Sequence, residues 1–321
     1  MATFVRNIVG GVFSYVAGFI PPARATSAQE DSNLQVDLTD EVTEKGPFPS
    51  SLGTFSDIWK CVKRGSSPKT YHVAVKAIRI PTDDDLIPQK AEMLRSKVRE
   101  WMKLKHDAVH PILGFVCGFG PLPSPVSPWL DGGNLTRYLK ANTELSSERR
   151  LYLLQRIAEG LEYLHSQRIL HGDLNGGNIL FDAEGSPYIV DYGLLPLILE
   201  FRISPYLSTP VGRAVRWVAP DLFQTPPDGD GEKANFTFEG DVYSFGSVML
   251  QVLTGQVPYH YIERDEQVIY TIAQGIRPRR PSSQDIMDEH WNFIQRCWAT
   301  DPQDRPSAGE LVAFLQRQRM T

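Results

Sequence analysis

The stretch His171-Gly-Asp-Leu-Asn-Gly-Gly-Asn-Ile-Leu-Phe-Asp182, followed by Asp191-Tyr-Gly193, decides how the chain is read. It sets two carboxylates and an amide, Asp173, Asp191 and Asn178, each beside an apolar run of strand-like composition. Asp173 follows Arg168-Ile-Leu-His171, Asn178 precedes Ile179-Leu-Phe181, and Asp191 follows Tyr188-Ile-Val190. Asp182-Ala-Glu-Gly185 between the last two runs has turn composition, so they read as a short hairpin. A hairpin that short brings Asn178 and Asp191 together. Oxygen ligands so placed suit Mg²⁺, which takes one or two carboxylates and completes its shell with substrate phosphates.

These residues resemble the catalytic loop and metal-binding motif of the eukaryotic protein kinases. The resemblance implies that Asp173 orients a substrate hydroxyl as catalytic base, and that Asn178 and Asp191 hold Mg²⁺. Further matches follow in kinase order along most of the chain. Val73-Ala-Val-Lys76 lies in an alternating run, Tyr71 to Ile78, that reads as a strand. Lys76 would contact the nucleotide phosphates and pair with a glutamate of the next helix. That helix is expected over residues 88–105, with Leu94, Val98, Trp101 and Leu104 at helical spacing. Glu100 is the candidate partner and Glu92 the second choice.

Ser51-Leu-Gly-Thr-Phe-Ser-Asp-Ile58 stands where the family has its glycine-rich loop, and Gly53 alone is kept, with Ser51 and Ser56 in the other two glycine positions. Glycines let backbone amides close on phosphates, whereas serines tighten the approach but keep the amides. Val126-Ser-Pro-Trp-Leu-Asp-Gly-Gly-Asn-Leu135 is similar to a kinase hinge. The resemblance makes Ser127 the gatekeeper and lets the Pro128 carbonyl and Leu130 amide read adenine, while Asn134 is a good cap for the helix that follows. The implied nucleotide-contacting set is Gly53, Ser56, Ile58, Ala74, Lys76, Pro128, Leu130 and Leu180.

Downstream of the hinge, Ser146 to Arg168 reads as a long amphipathic helix. The segment from Asp191 to Trp217-Val-Ala-Pro-Asp221 resembles an activation segment, with Asp221 expected to meet Arg305. Arg305 lies in Cys297-Trp-Ala-Thr-Asp-Pro-Gln-Asp-Arg-Pro306, a motif of the tyrosine-kinase-like group. Asp241 of Asp241-Val-Tyr-Ser-Phe-Gly246 is expected to hold the catalytic-loop backbone. Three departures touch the chemistry. Gly172 replaces an arginine that reads a phosphorylated activation loop, which implies activity little dependent on phosphorylation of Ser204, Tyr206, Ser208 or Thr209. Asn175 replaces a cationic residue near the transferred phosphate, where its amide could still donate. Tyr192 replaces phenylalanine and is expected to fill the same apolar site.

The chain has 321 residues, 41% hydrophobic, with a net charge of −5. That leaves room for two lobes and gives no sign of general attraction to nucleic acid or anionic membrane. Its three cysteines are far apart, against a disulfide framework or zinc site and for a reducing compartment. Residues 1–29 hold no acid, two arginines and an apolar run from Ile8 to Ile20 that is short for a membrane span. A transit peptide, a secretory signal, an interfacial anchor and a loose tail all stay open.

The expectation is an α+β, bilobal protein-kinase-like fold. A tail and linker would cover 1–36, a small antiparallel β lobe with one helix 37–130, and a larger helical lobe 131–321. ATP and Mg²⁺ would occupy the cleft, and the γ-phosphate would pass to a protein hydroxyl, with serine or threonine favoured. The alternative is a pseudokinase, a nucleotide-binding or scaffolding module. Expected partners are a protein substrate and ATP, with no nucleic acid. Membrane contact by residues 1–20 is open, as is oligomeric state. The cytoplasm is the expected location, with membrane or mitochondrial association left open by the N-terminal segment.

Overall fold

The computed structural model describes residues 36–53, 55–64, 70–80, 84–201, 213–223, 236–281 and 286–320. The readings made of residues 1–35 and of the four phosphorylatable residues between 204 and 209 lie outside them.

The first lobe is built on one antiparallel sheet. Its strands are β1 (Val42–Thr43), β2 (Ser51–Leu52), β3 (Ser56–Arg64), β4 (Thr70–Ile78), β5 (Gly114–Val116) and β6 (Ser124–Pro128), with one helix, α1 (Ile87–Trp101), between β4 and β5. The order is β1-β3-β4-β6-β5, with β2 also pairing β3. Alternation along β4 explains what this lobe does for the cleft. Val73, Val75 and Ala77 are buried on one face, so Ala74 and Lys76 must point to the other. The β3–β4 register sets Ile58 opposite Lys76 and Ser56 opposite Ile78, which puts Ser56 and Ile58 on that same face. Leu94, Val98 and Trp101 form the inward stripe of α1 and are all nearly inaccessible. The helix stops at Trp101, four residues before the expected end.

The second lobe is mainly helical. It comprises α2 (Leu135–Ala141), α3 (Ser147–Ser166), the hairpin β7 (Ile179–Phe181) and β8 (Pro187–Ile189), then α4 (Leu194–Glu200), α5 (Phe238–Thr254), α6 (Asp265–Ala273), α7 (Asp288–Cys297) and α8 (Ala308–Met320). Caps fix two of the starts: Asn134 accepts from the Arg137 amide at 2.9 Å and Ser146 from the Arg149 amide at 3.2 Å. Helix α5 is buried on every side from Asp241 to Leu253, as expected for the central helix of a lobe. Leu151, Leu154, Ala158 and Leu161 of α3 face the same core. No helix among the described residues is long and apolar enough to cross a membrane.

Candidate active site

The sheet, the hinge and the β7–β8 hairpin enclose a cleft of about 450 Å³. Gly53, Ser56, Ile58, Ala74, Lys76, Pro128, Leu130 and Leu180 all line it, together with Asn178 and Asp191. The hairpin is the one the sequence implied. Ile179 pairs with Ile189, the Val190 amide donates to the Asn178 carbonyl at 3.0 Å, and the turn closes through Ser186 N–H to Asp182 Oδ1 at 2.7 Å. Asn178 and Asp191 therefore flank the last rung of the ladder. Asp191 sits at φ 63°, a left-handed conformation that costs energy for a non-glycine residue and is concentrated at functional sites.

The loop carrying Asp173 is hung from α5. Asp241 accepts the backbone amides of His171 and Gly172 at 2.8 Å each, and its carboxylate also meets His165 Nε2 at 3.0 Å. His171 is buried and accepts the Asp173 amide through Nδ1, which leaves the proton on Nε2, where no described group meets it. Burial holds its imidazole below the usual histidine range, hence neutral.

Asp173 is gripped by two amides. Asn175 Nδ2 donates to its Oδ1 at 3.0 Å and Asn178 Nδ2 to its Oδ2 at 2.9 Å, and both also reach its main-chain carbonyl. Burial among protein atoms pushes the Asp173 carboxyl up to about 7, with the Asp191 charge adding to the rise; the two amides and Lys76 pull the other way.

The structure corrects the role read for Asn175. It is buried, its amide is committed to Asp173, and its Oδ1 accepts the Gly177 amide at 2.7 Å. It braces the Asp173 carboxylate instead of standing free for a phosphate.

A second correction concerns Lys76. Its ammonium pairs with Asp191, and Glu100 lies elsewhere, 2.8 Å from Lys97 on the exposed side of α1. Glu92 is also on that outer side, paired with Arg99 at 2.7 Å and Arg95 at 3.5 Å. The reason is rotation of about 100° per residue. With Leu94 and Val98 turned inward, residues two positions away face solvent. The inward position next to the cleft is taken by Trp101, whose ring meets Tyr192 edge-on, centroids 6.2 Å apart. Tyr192 fills an apolar site as expected and adds a hydrogen bond the sequence did not announce, from its hydroxyl to the His110 carbonyl at 2.8 Å.

His110 itself is a residue the motif reading missed. It lines the back of the cleft, and its Nε2 lies 2.9 Å from the Pro128 carbonyl. Burial keeps this imidazole neutral, so Nε2 carries the proton it donates. A carbonyl oxygen has two lone pairs, so Pro128 keeps one for a ligand. No described group takes the Leu130 amide, the other expected adenine contact.

The donor set fits Mg²⁺ bound with a nucleotide. No cluster of three or more histidine, cysteine or acidic side chains exists among the described residues. A cage made only of protein ligands is thus absent there, while the side-chain Oδ1 of Asn178 and the second carboxylate oxygen of Asp191 remain as hard donors at the cleft wall. That is the pattern of a cation held by one or two protein oxygens plus phosphates.

A β lobe with one helix, a helical lobe, and a cleft joining a strand lysine to a hairpin aspartate, with a loop aspartate hydrogen-bonded to Asn178 of its wall, define a protein kinase. The chain belongs to the family described as protein tyrosine and serine/threonine kinase, whose profile matches residues 51–315, and within the eukaryotic protein kinases it is of the tyrosine-kinase-like type. It is 31% identical over 249 residues to the serine/threonine/tyrosine-protein kinase HT1 of Arabidopsis thaliana, covering 76% of this chain and 60% of that protein. It is also 31% identical over 271 residues to the "Probable serine/threonine-protein kinase SIS8" of the same plant, covering 83% and 24%. Kinase suppressor of Ras A of Caenorhabditis elegans is 29% identical over 262 residues, covering 77% and 33%. The chain thus spans less than two thirds of the length of each of these relatives.

Proposed function

We propose that this protein transfers the γ-phosphoryl group of Mg-ATP to a serine or threonine hydroxyl of a protein substrate. The observation that carries the reading is the meeting of Lys76, Asn178 and Asp191 on one cleft, with Asp173 hydrogen-bonded to Asn178 at its edge. The hydroxyl oxygen bonds to the γ-phosphorus as the bond to the β,γ-bridging oxygen breaks. The proton goes to Asp173 and the electron pair leaves with ADP. Asp173 suits that step, because a base poised near neutral pH combines ionisation with proton affinity. Asn175 and Asn178 hold both its oxygens in place. Lys76 would exchange its contact with Asp191 for the phosphates, freeing that carboxylate. Asn178 and Asp191 would hold the cation, whose charge would neutralise that of the phosphates. Serine or threonine is preferred because the printed name of SIS8 gives these acceptors and that of HT1 includes them beside tyrosine.

A second reading, a nucleotide-binding module without transfer, draws on one observation. Both acidic residues of α1 are engaged on its outer surface, so Lys76 has no carboxylate partner from that helix. The two are separated by incubating the protein with labelled Mg-ATP and a generic protein acceptor, beside Asp173→Asn, with melting temperature read on the same samples. Transfer that falls by about 10²–10⁴-fold in the variant is the expected result for loss of a general base. A melting temperature raised by Mg-ATP without any transfer supports the second reading.

A further inference from the structure

Beside the nucleotide cleft lies a second concavity, about 650 Å³, whose walls include Asn175 and Gly177 of the catalytic loop. Asn175 touches the Asp173 carboxylate, so a chain lying in this groove would present its side chains within reach of the base. Resting on the kinase reading above, we infer that this groove takes an acceptor polypeptide with acidic residues, aspartate or glutamate, flanking the hydroxyl.

Some of the charges on this groove are already spent on the fold and others are not. Arg216 lines the groove, but its guanidinium is consumed. It pairs with Asp265 at 2.8 Å and donates to the carbonyls of Tyr259 and Ile262 at 2.8 and 2.9 Å, which fastens the approach to α6. Arg216 and Asp265 therefore cancel and serve the fold. On the opposite wall, Arg137 and Lys140 stand three residues apart on α2, so they share a face. Both are exposed, and neither side chain has an acidic partner among the described residues. The stem of Arg137 lies over Gly133, where an added Cβ would meet its Cδ at 3.3 Å, so the side chain bridges the nucleotide cleft and the groove. Among the described residues, Glu263 is the one uncancelled acid on the lining. Two free cations beside the catalytic loop stand out on a chain that carries 38 acidic against 33 basic residues. A basic acceptor would meet them as like charges, which disfavours the wrong partner as much as an acid favours the right one.

The test uses the full chain and two fluorescein-labelled serine peptides of one scaffold, flanked by Asp/Glu in one and Lys/Arg in the other. Binding is read by anisotropy at two salt concentrations, and phosphate transfer from Mg-ATP is read on the same pair. Two exposed pairs of about threefold each predict roughly tenfold tighter binding of the acidic peptide. That preference should shrink with salt. Arg137→Glu combined with Lys140→Glu should reverse it, and Lys140→Gln, which only removes one charge, should lower it by about threefold. Equal binding, a basic preference, or a ratio that charge reversal does not move overturns the inference. Transfer without acidic preference leaves the kinase reading standing and sinks this one. Acidic preference in binding with no transfer to any acceptor supports the groove assignment and sinks the kinase reading.

Discussion

Asp173 is the residue at which the chemistry and the stability of this protein pull against each other. Its carboxyl titrates near 7 in the fold against an ordinary value of about 3.8, raised chiefly by burial. The folded state thus keeps a proton that the unfolded chain releases. The stability this gives is complete below the unfolded value and is lost as pH rises toward 7. The proposed transfer uses the other form as its base, so kcat/KM is expected to rise with pH and to level off above about 7. Asn175→Ala removes an amide that favours the charged form. A charge-assisted hydrogen bond is worth about 1.5–3 kcal/mol, so transfer at pH 7 should fall by roughly ten- to a hundredfold. The rising limb should also move to higher pH. A pH–rate profile of both proteins checks this, and an unmoved limb would mean that Asn175 does not govern the base. Asn178 and Asp191 were legible because they flank the two strands of one short hairpin, and Lys76 because alternation along β4 turns it to the cleft. Glu100 was not, since a carboxylate on a helix says nothing of its face until the apolar stripe is phased. Asn175 was visible as a departure, but its hydrogen-bond partner depends on loop geometry that composition does not encode.

At the scale of elements, the unforeseen feature is α4, which begins directly after the Asp191-Tyr-Gly193 motif. Leu194, Leu195, Leu197 and Ile198 are all buried, so this turn of the activation segment is packed into the core. Its seat explains why Gly172 replaces a larger residue. Gly172 is at φ +75°, and a Cβ there would lie 2.6 Å from Pro196 Cγ. Helix α4 can lie against the catalytic loop only because that atom is missing. Gly172→Ala should therefore cost a backbone term and a steric term, together about 1–3 kcal/mol. Gly255 offers the comparison, with the same φ and nothing within 4 Å of a new Cβ. Gly255→Ala should cost only the backbone part. Denaturant unfolding of the two variants separates the terms, and equal losses would rule out the seat as the reason for Gly172. The sequence could not announce α4, because an apolar run that short suits a strand as well as a helix. What it did announce at this scale were elements with punctuation, such as α2 behind Asn134 and the hairpin around Asp182 and Gly185.

For the whole molecule, two lobes followed from motifs strung in a fixed order, each too weak alone to name a fold. What ties the second lobe together is less visible in composition, being a contact between residues far apart in the chain. Arg305 forks onto Asp221, with Nη1 and Nη2 at 2.6 and 2.7 Å from the two carboxylate oxygens. It also donates to the carbonyls of Ala299 and Glu239 and lies over the Tyr243 ring. One inaccessible guanidinium thus joins the end of the activation segment, the start of α5 and the link into α8. The motif reading foresaw this pair, whereas the two carbonyl contacts had no sequence signal. Removing one member of a buried pair leaves the other charge uncompensated and costs about 3–5 kcal/mol, whereas an exposed pair such as Lys97–Glu100 is worth about 0–1. Arg305→Met should accordingly cost a large share of a stability that is ordinarily about 5–15 kcal/mol. Adding Asp221→Asn to Arg305→Met should restore part of the loss, because no stranded carboxylate then remains. A double-mutant cycle by denaturant unfolding reads the coupling directly. If the two changes simply add, the bridge is only a crossing point of separate contacts, and the end of the activation segment is held instead by its buried Val215 and Trp217 and by the Arg216–Asp265 pair.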